Sequence, residues 1–277
     1  MYSKILVSLT ALIIPSLSFA EPANNFGINP LKQLNNARVS MQRMVKSTDG
    51  NYFMSLYAGI ANPHATMFNL KDQSITEFRG TQKGNQLNLF SINTDPQQQN
   101  FEQVQLNANL NVNSGILQGS LLTPHNLNAE TVQFEPAFKV VNKPLFTFKF
   151  YGVKADTQAQ EQLLTRVDVM NKTTNTIAQT LTGFSAYPGS IGYMDVNFDG
   201  YYDVILSDLS RERKVTDKRY IYWMYNPKTK QFQRSPQLEK IVGFPNLNGI
   251  TQQINFGEGQ VYQVEKGLLS RIETSTP

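Results

Sequence analysis

Met194-Asp195-Val196-Asn197-Phe198-Asp199-Gly200-Tyr201-Tyr202-Asp203-Val204 sets oxygen-bearing side chains at alternate positions around one glycine. A hard cation such as calcium takes six to eight oxygens at roughly 2.3 to 2.6 Å, and a tight loop with ligands at positions 1, 3, 5, 7 and 9 wraps it. In this stretch those positions are Asp195, Asn197, Asp199, the backbone carbonyl of Tyr201, and Asp203. Gly200 is sixth, where the chain reverses and a side chain is costly. An EF-hand would continue to a bidentate Glu at position 12, between two amphipathic helices. That position is Leu206, and Val196, Phe198, Val204 and Leu206 alternate as strand residues do. The loop is therefore expected to join two strands, which makes the scaffold a β one.

Working outward, the rest of the chain keeps this texture. From Tyr52 to Phe138, short runs of period-two alternation are broken by turn formers such as Asn62-Pro63, Lys83-Gly84-Asn85 and Asn113-Ser114-Gly115. This predicts an N-terminal β-meander over 47–142. Lys143-Pro144 marks a boundary, since proline restricts the residue before it. A second β-module is expected over 143–277, and it contains the candidate calcium loop. Its clearest element is a hairpin, Tyr220 to Tyr225 against Gln231 to Arg234 across Asn226-Pro227-Lys228-Thr229-Lys230. Ala186-Tyr187-Pro188-Gly189-Ser190 reads as a loop. The expected fold is all-β with antiparallel sheets, closed as a propeller-like or sandwich arrangement. Residues 21–46 are Asn- and Gln-rich and read as a linker or a short capping helix, with Leu31, Leu34, Val39, Met41 and Met44 on one side.

At the amino terminus, Lys4 precedes the apolar run Ile5 to Leu17, and Ser18-Phe19-Ala20 offers small residues for cleavage after Ala20. This is the pattern of a secretory signal peptide over 1–20, and it predicts a periplasmic protein. No later stretch is apolar enough for a spanning helix, so a transmembrane protein is not expected. The sequence contains no cysteine, which excludes disulfides, thiolate metal sites, a lipoprotein anchor and a cysteine nucleophile. Lysines and arginines are spread along the chain, net charge +4, with no basic cluster like those that bind nucleic acid, so nucleic acid is not an expected partner.

Catalytic signals are sparse. The two histidines, His64 and His125, both stand in turns of the first half, whereas a histidine-based site needs a partner inside a cleft. A glycosidase needs two carboxylates across a cleft. The carboxylates that cluster here, Asp195, Asp199 and Asp203, are better placed to surround a point. No enzymatic activity is expected. The competing reading of the loop is a metal-free turn, because Asp, Asn and Gly are common turn residues. The aromatics Tyr201, Tyr202, Tyr220, Tyr222, Trp223 and Tyr225 read as core and cross-strand pairs on one face, and as an interface on the other.

Val167-Asp168-Val169, Gln179-Thr180-Leu181, the loop Asp195 to Asp203, and Tyr222-Trp223-Met224-Tyr225-Asn226-Pro227-Lys228-Thr229-Lys230-Gln231-Phe232 follow one another in an order that resembles a known family. Its members are periplasmic calcium-loop proteins of antibacterial secretion systems, immunity proteins similar to lysozyme inhibitors. The likeness covers about Leu145 to Glu273. It implies a binding protein with a structural calcium ion, whose protein target is a peptidoglycan hydrolase or toxin effector. It further implies a short plug loop with small and hydroxyl residues, for which Ala186, Tyr187, Pro188, Gly189 and Ser190 are the candidates. Two alternatives stay open: a periplasmic glycan-binding or glycan-active accessory protein, and a structural envelope protein.

Overall fold

The computed structural model describes residues 31–272, except 60, 95, 96, 98–100, 125, 158 and 159. The expected signal peptide, residues 21–30 and His125 lie outside the described residues. The chain starts with β1 (Lys32–Gln33), then runs through β2 (Val39–Ser47), β3 (Tyr52–Ala58), β4 (His64–Asn69) and β5 (Ile75–Lys83). It continues with β6 (Gln86–Ser91), β7 (Gln105–Leu110), β8 (Leu117–Thr123) and β9 (Asn126–Pro136). Strands β2 to β9 pair in sequence order, and β2 also pairs with β9, Val45 opposite Pro136. The meander is thus a closed eight-stranded antiparallel barrel.

Alternation explains the closure. In β6, Leu87, Leu89 and Ser91 are buried while Gln86, Asn88 and Phe90 are exposed. The inward set from all strands, including Met54, Leu56, Phe78, Leu106, Leu117 and Phe134, fills the barrel. Each such side chain contributes about 1.5–3 kcal/mol by leaving water. Glycine is required where strands crowd: a Cβ at Gly119 would lie 2.1 Å from the Asn107 carbonyl oxygen. Such positions let a barrel strand bend.

The second half builds a sheet from β10 (Phe146–Thr157), β11 (Gln160–Asn171), β12 (Thr176–Leu181), β13 (Ala186–Met194), β14 (Asp203–Asp208), β15 (Tyr220–Asn226) and β16 (Gln231–Arg234). One helical turn, α1 (Pro236–Glu239), leads to a separate four-stranded sheet of β17 (Asn246–Asn248), β18 (Gln253–Asn255), β19 (Val261–Glu265) and β20 (Leu268–Ile272). The barrel and the large sheet are continuous through β2, which pairs with β13, Ile191 opposite Val39. That pairing is parallel, unlike every other ladder among the described residues. Val204, Leu206, Ile221 and Tyr225 pack on one face of the large sheet. On the other face Met194, Ile205 and Tyr222 meet Ile254 of the small sheet and the adjoining Phe256, together with Met44 and Phe53 from the barrel strands. Among the described residues no helix is long and apolar enough to cross a membrane.

The expectation of an all-β, antiparallel fold holds. Its first half closes as a barrel, where the sequence suggested a propeller-like or sandwich arrangement. The short capping helix is corrected: Leu31 to Lys46 carries β1 and β2, and β2 is a wall of the barrel. Helical spacing of Val39, Met41 and Met44 misled because this strand is packed on both sides. Gln42 to Val45 are four buried residues in a row, which erases the alternation of a half-buried strand.

Candidate functional site

The loop between β13 and β14 is built from its own carboxylates. Asp195 accepts the backbone N–H groups of Asp199 at 3.0 Å and Gly200 at 2.9 Å. Asp199 accepts from Tyr201 N–H at 2.9 Å and from the Asn197 amide at 3.0 Å. Two left-handed residues turn the chain, Phe198 at φ 58° and Gly200 at φ 89°. A Cβ on Gly200 would also meet Val140 Cγ1 at 2.7 Å, so position six needs glycine for both reasons. Phe198 lacks that freedom, and its strained backbone is held by packing against Phe138, ring centroids 5.5 Å apart.

Asp203 is fully buried and acts outside the loop as well as within it. One oxygen accepts Val196 N–H at 2.9 Å and the other accepts Tyr225 N–H at 2.8 Å. The carboxylate therefore ties the loop to the hairpin β15–β16, and Tyr201 adds a ring contact with Tyr225 at 5.3 Å. The upstream motif residues lock the same hairpin. Gln179 presents its amide to Phe232 as a strand would, donating to the carbonyl at 2.9 Å and accepting the N–H at 2.7 Å. Thr180 donates to Asp168 at 2.9 Å, and Asp168 forms a two-pronged pair with Arg166 at 2.7 and 2.8 Å. Motif segments separated by up to about 65 residues thus form one connected unit.

Charge is concentrated here. Burial pushes the Asp195 carboxyl up to about 7, with the Asp199 charge adding to the effect. Burial likewise raises Asp203, and Asp195 raises it further. The cation facing all three aspartates is Lys143, whose ammonium lies 3.3 Å from the centroid of the Tyr202 ring. Burial lowers Lys143 to about 8, and the aspartates oppose that shift. Sequence reading took Lys143 only as a domain boundary, and nothing local in Lys143-Pro144 points at the loop.

The residues expected to hold calcium are therefore adjacent, but their carboxylates turn largely to the backbone. Among the described residues no three His, Cys, Asp or Glu side chains are grouped as a ready cation cage. Two observations fit a cation nevertheless. The Asn197 Oδ1 atom, at the third ligand position, is buried without a hydrogen-bond partner. Aspartates crowded into a desolvated place, with Asp195 and Asp203 both pushed up by burial, also favour a cation that would keep them ionised.

The segment expected as a plug loop is a strand and not a loop. Ala186 to Ser190 belong to β13, with Ala186 and Pro188 buried. Arg38 N–H donates to the Pro188 carbonyl at 2.9 Å. The register jumps between Ala186 and Ile191, so Tyr187 to Ser190 bulge opposite Ser207. Proline and glycine mark this bulge rather than an exposed turn. The aromatic interface is also narrowed, because Tyr222 packs on one face of β15 while Ile221 and Tyr225 pack on the other. His64 stacks on Tyr57 at 4.6 Å and contacts the Asn62 carbonyl.

An exposed segment that the sequence reading passed over lies between β14 and β15. Residues 210–219 form two short 3-10 turns carrying Arg211, Arg213, Lys214, Lys218 and Arg219 against Glu212 and Asp217. Asp208 anchors one end, accepting Ser210 N–H at 2.9 Å and pairing with Arg213. Asp217 accepts Lys214 N–H at 2.9 Å, and Gly243 N–H donates to the Lys218 carbonyl at 2.9 Å. Arg211, Glu212 and Lys218 all have left-handed backbones, at φ 55°, 62° and 49°. The density of basic residues was the available signal.

No protein-family model matches the chain, and no curated protein matches it. The class it defines rests on its own geometry: an all-β barrel fused to a sheet whose aspartate-rich loop is tied to a hairpin.

Proposed function

We propose that the chain is an exported periplasmic inhibitor, an immunity protein for a lysozyme-like peptidoglycan hydrolase or secreted effector, with one structural calcium ion. The observation that carries the reading is the basic, exposed, internally bonded segment 210–219, anchored on Asp208 at the end of β14. Hydrolases of glycosidic bonds work with two carboxylates across a cleft. A basic loop held in one shape meets such a cleft with charge complementarity and little ordering cost. The loop, hairpin and upstream motif residues, which resemble those of the immunity family, support the same reading by their mutual bonding.

Calcium would be held by Asp195, Asn197, Asp199, Asp203 and the Tyr201 carbonyl, and it would balance the negative charge that Lys143 only partly offsets. The ion stabilises the β13–β14 connection and, through Asp203, the hairpin. Melting of the mature protein should rise with calcium and fall with a chelator; equal melting in both removes calcium from the reading.

The inhibitory function is tested by titrating muramidases and effector hydrolases from competing strains with the protein. Stoichiometric loss of peptidoglycan cleavage is expected, and reversal of Arg211 and Lys214 to glutamate should abolish it without lowering the melting temperature. A folded protein that slows none of these enzymes overturns the proposal.

A further inference from the structure

A cleft of about 870 Å³ opens between the barrel, the connector 137–145 and β10. Ligand sites typically measure roughly 300–1,000 Å³ and are mostly apolar with a few placed polar groups. Met41, Ile116, Phe138, Leu145, Phe146 and Phe148 supply such walls. Four cations also line it; two have bonded partners and a third faces three aspartates at longer range. Lys139 pairs with Glu135 at 2.5 Å, Lys172 donates to Asn113 at 2.6 Å, and Lys143 faces the aspartate loop.

Arg43 is the exception. It is only 5% exposed, and no carboxylate lies within ion-pair distance of it among the described residues. One terminal nitrogen donates to the Val112 carbonyl at 2.9 Å, and the guanidinium lies near the Tyr202 side chain. Its Nε is buried without a partner. A guanidinium does not lose its proton in a protein, and a buried charge needs a counter-charge. The aspartate loop beyond Tyr202 and Lys143 gives Arg43 negative charge at a distance but no direct partner, so an anion that pairs with the guanidinium itself would enter from the apolar cleft.

We infer that this cleft binds a long-chain fatty acid, its carboxylate meeting Arg43 and its alkyl chain lying along the Met41, Phe146 and Phe148 walls. A single carboxylate matches the single unpaired arginine. A peptide would bring backbone N–H and C=O groups that walls of this kind leave unsatisfied. The inference is independent of the inhibitor reading, since none of its residues belongs to segment 210–219.

The experiment titrates the mature chain with the fluorescent fatty acid cis-parinaric acid, followed by competition with palmitate and hexadecanol. Saturable binding of one probe per chain is expected. Palmitate should displace it at least about tenfold more strongly than the alcohol, the loss expected for one charge-assisted hydrogen bond. Arg43→Gln should abolish that preference. Val112→Glu places a carboxylate beside Arg43 at a turn residue that is 42% exposed, where folding tolerates change. It should block palmitate while circular dichroism stays unchanged, and it carries the test if the Arg43 variant fails to fold. Absence of saturation, equal displacement by acid and alcohol, or displacement by an apolar peptide with a free C-terminus but not by palmitate would each overturn the inference.

Discussion

Asp168 shows how one buried carboxylate becomes structural. Its bonds from Arg166, and then from Thr180, hold it below the usual carboxylate range in spite of burial. A folded-state value below the unfolded one means stability that is complete above about pH 4, the unfolded value, and lost as pH falls through the folded value. Urea unfolding between pH 5 and 2.5 should show this loss in the native protein and a smaller one in Asp168→Asn. Equal pH dependence in the two would show that Asp168 contributes nothing. In the sequence, Val167-Asp168-Val169 reads as ordinary alternation. The carboxylate's partners stand two and twelve residues away, on its own strand and the next, so only the register of β11 against β12 reveals them.

At the scale of elements, the large sheet rolls until β12 and β16 face one another without a backbone ladder, and the Gln179 amide bridges them. Replacing Gln179 with alanine removes two hydrogen bonds and leaves Phe232 N–H and C=O to find other partners. The expected cost is about 1–3 kcal/mol, read as a lower denaturation midpoint with an unchanged slope. Gln179→Glu should cost at least as much, because it loses the donor and sets a charge against the Phe232 carbonyl. The hairpin was legible in advance because Asn226-Pro227-Lys228 separates two alternating runs. The bulge at Tyr187 to Ser190 was not, since proline and glycine punctuate loops and strand irregularities with the same residues.

Across the whole described chain, the barrel, the large sheet and the small sheet share one apolar cluster. Phe53 stands on the outer side of barrel strand β3 and packs into it, beside Phe68 at 6.5 Å. Phe53→Ala should therefore lower stability by about 3–5 kcal/mol, the usual range for such a core truncation. It should shift one shared thermal transition. Splitting of the transition, with the barrel melting first, would show that the cluster does not couple the parts. Strand content was readable from alternation such as that of Gln86 to Ser91. Closure was not, because the β2–β9 pairing joins residues about ninety positions apart and leaves no local mark.

The parallel seam between β2 and β13 has a consequence for how the chain matures. A barrel of neighbouring hairpins can assemble early, since each closes a short loop. The outer end of β2, Val39 to Met41, gains its parallel partner only when residues 191–193 arrive, some 150 positions later in synthesis. Until then part of a strand edge and the apolar outer residues Met44 and Phe53 stay uncovered, the kind of surface on which chains aggregate. Late arrival of one strand thus makes the first half dependent on the second, and a chaperone is most needed in that interval.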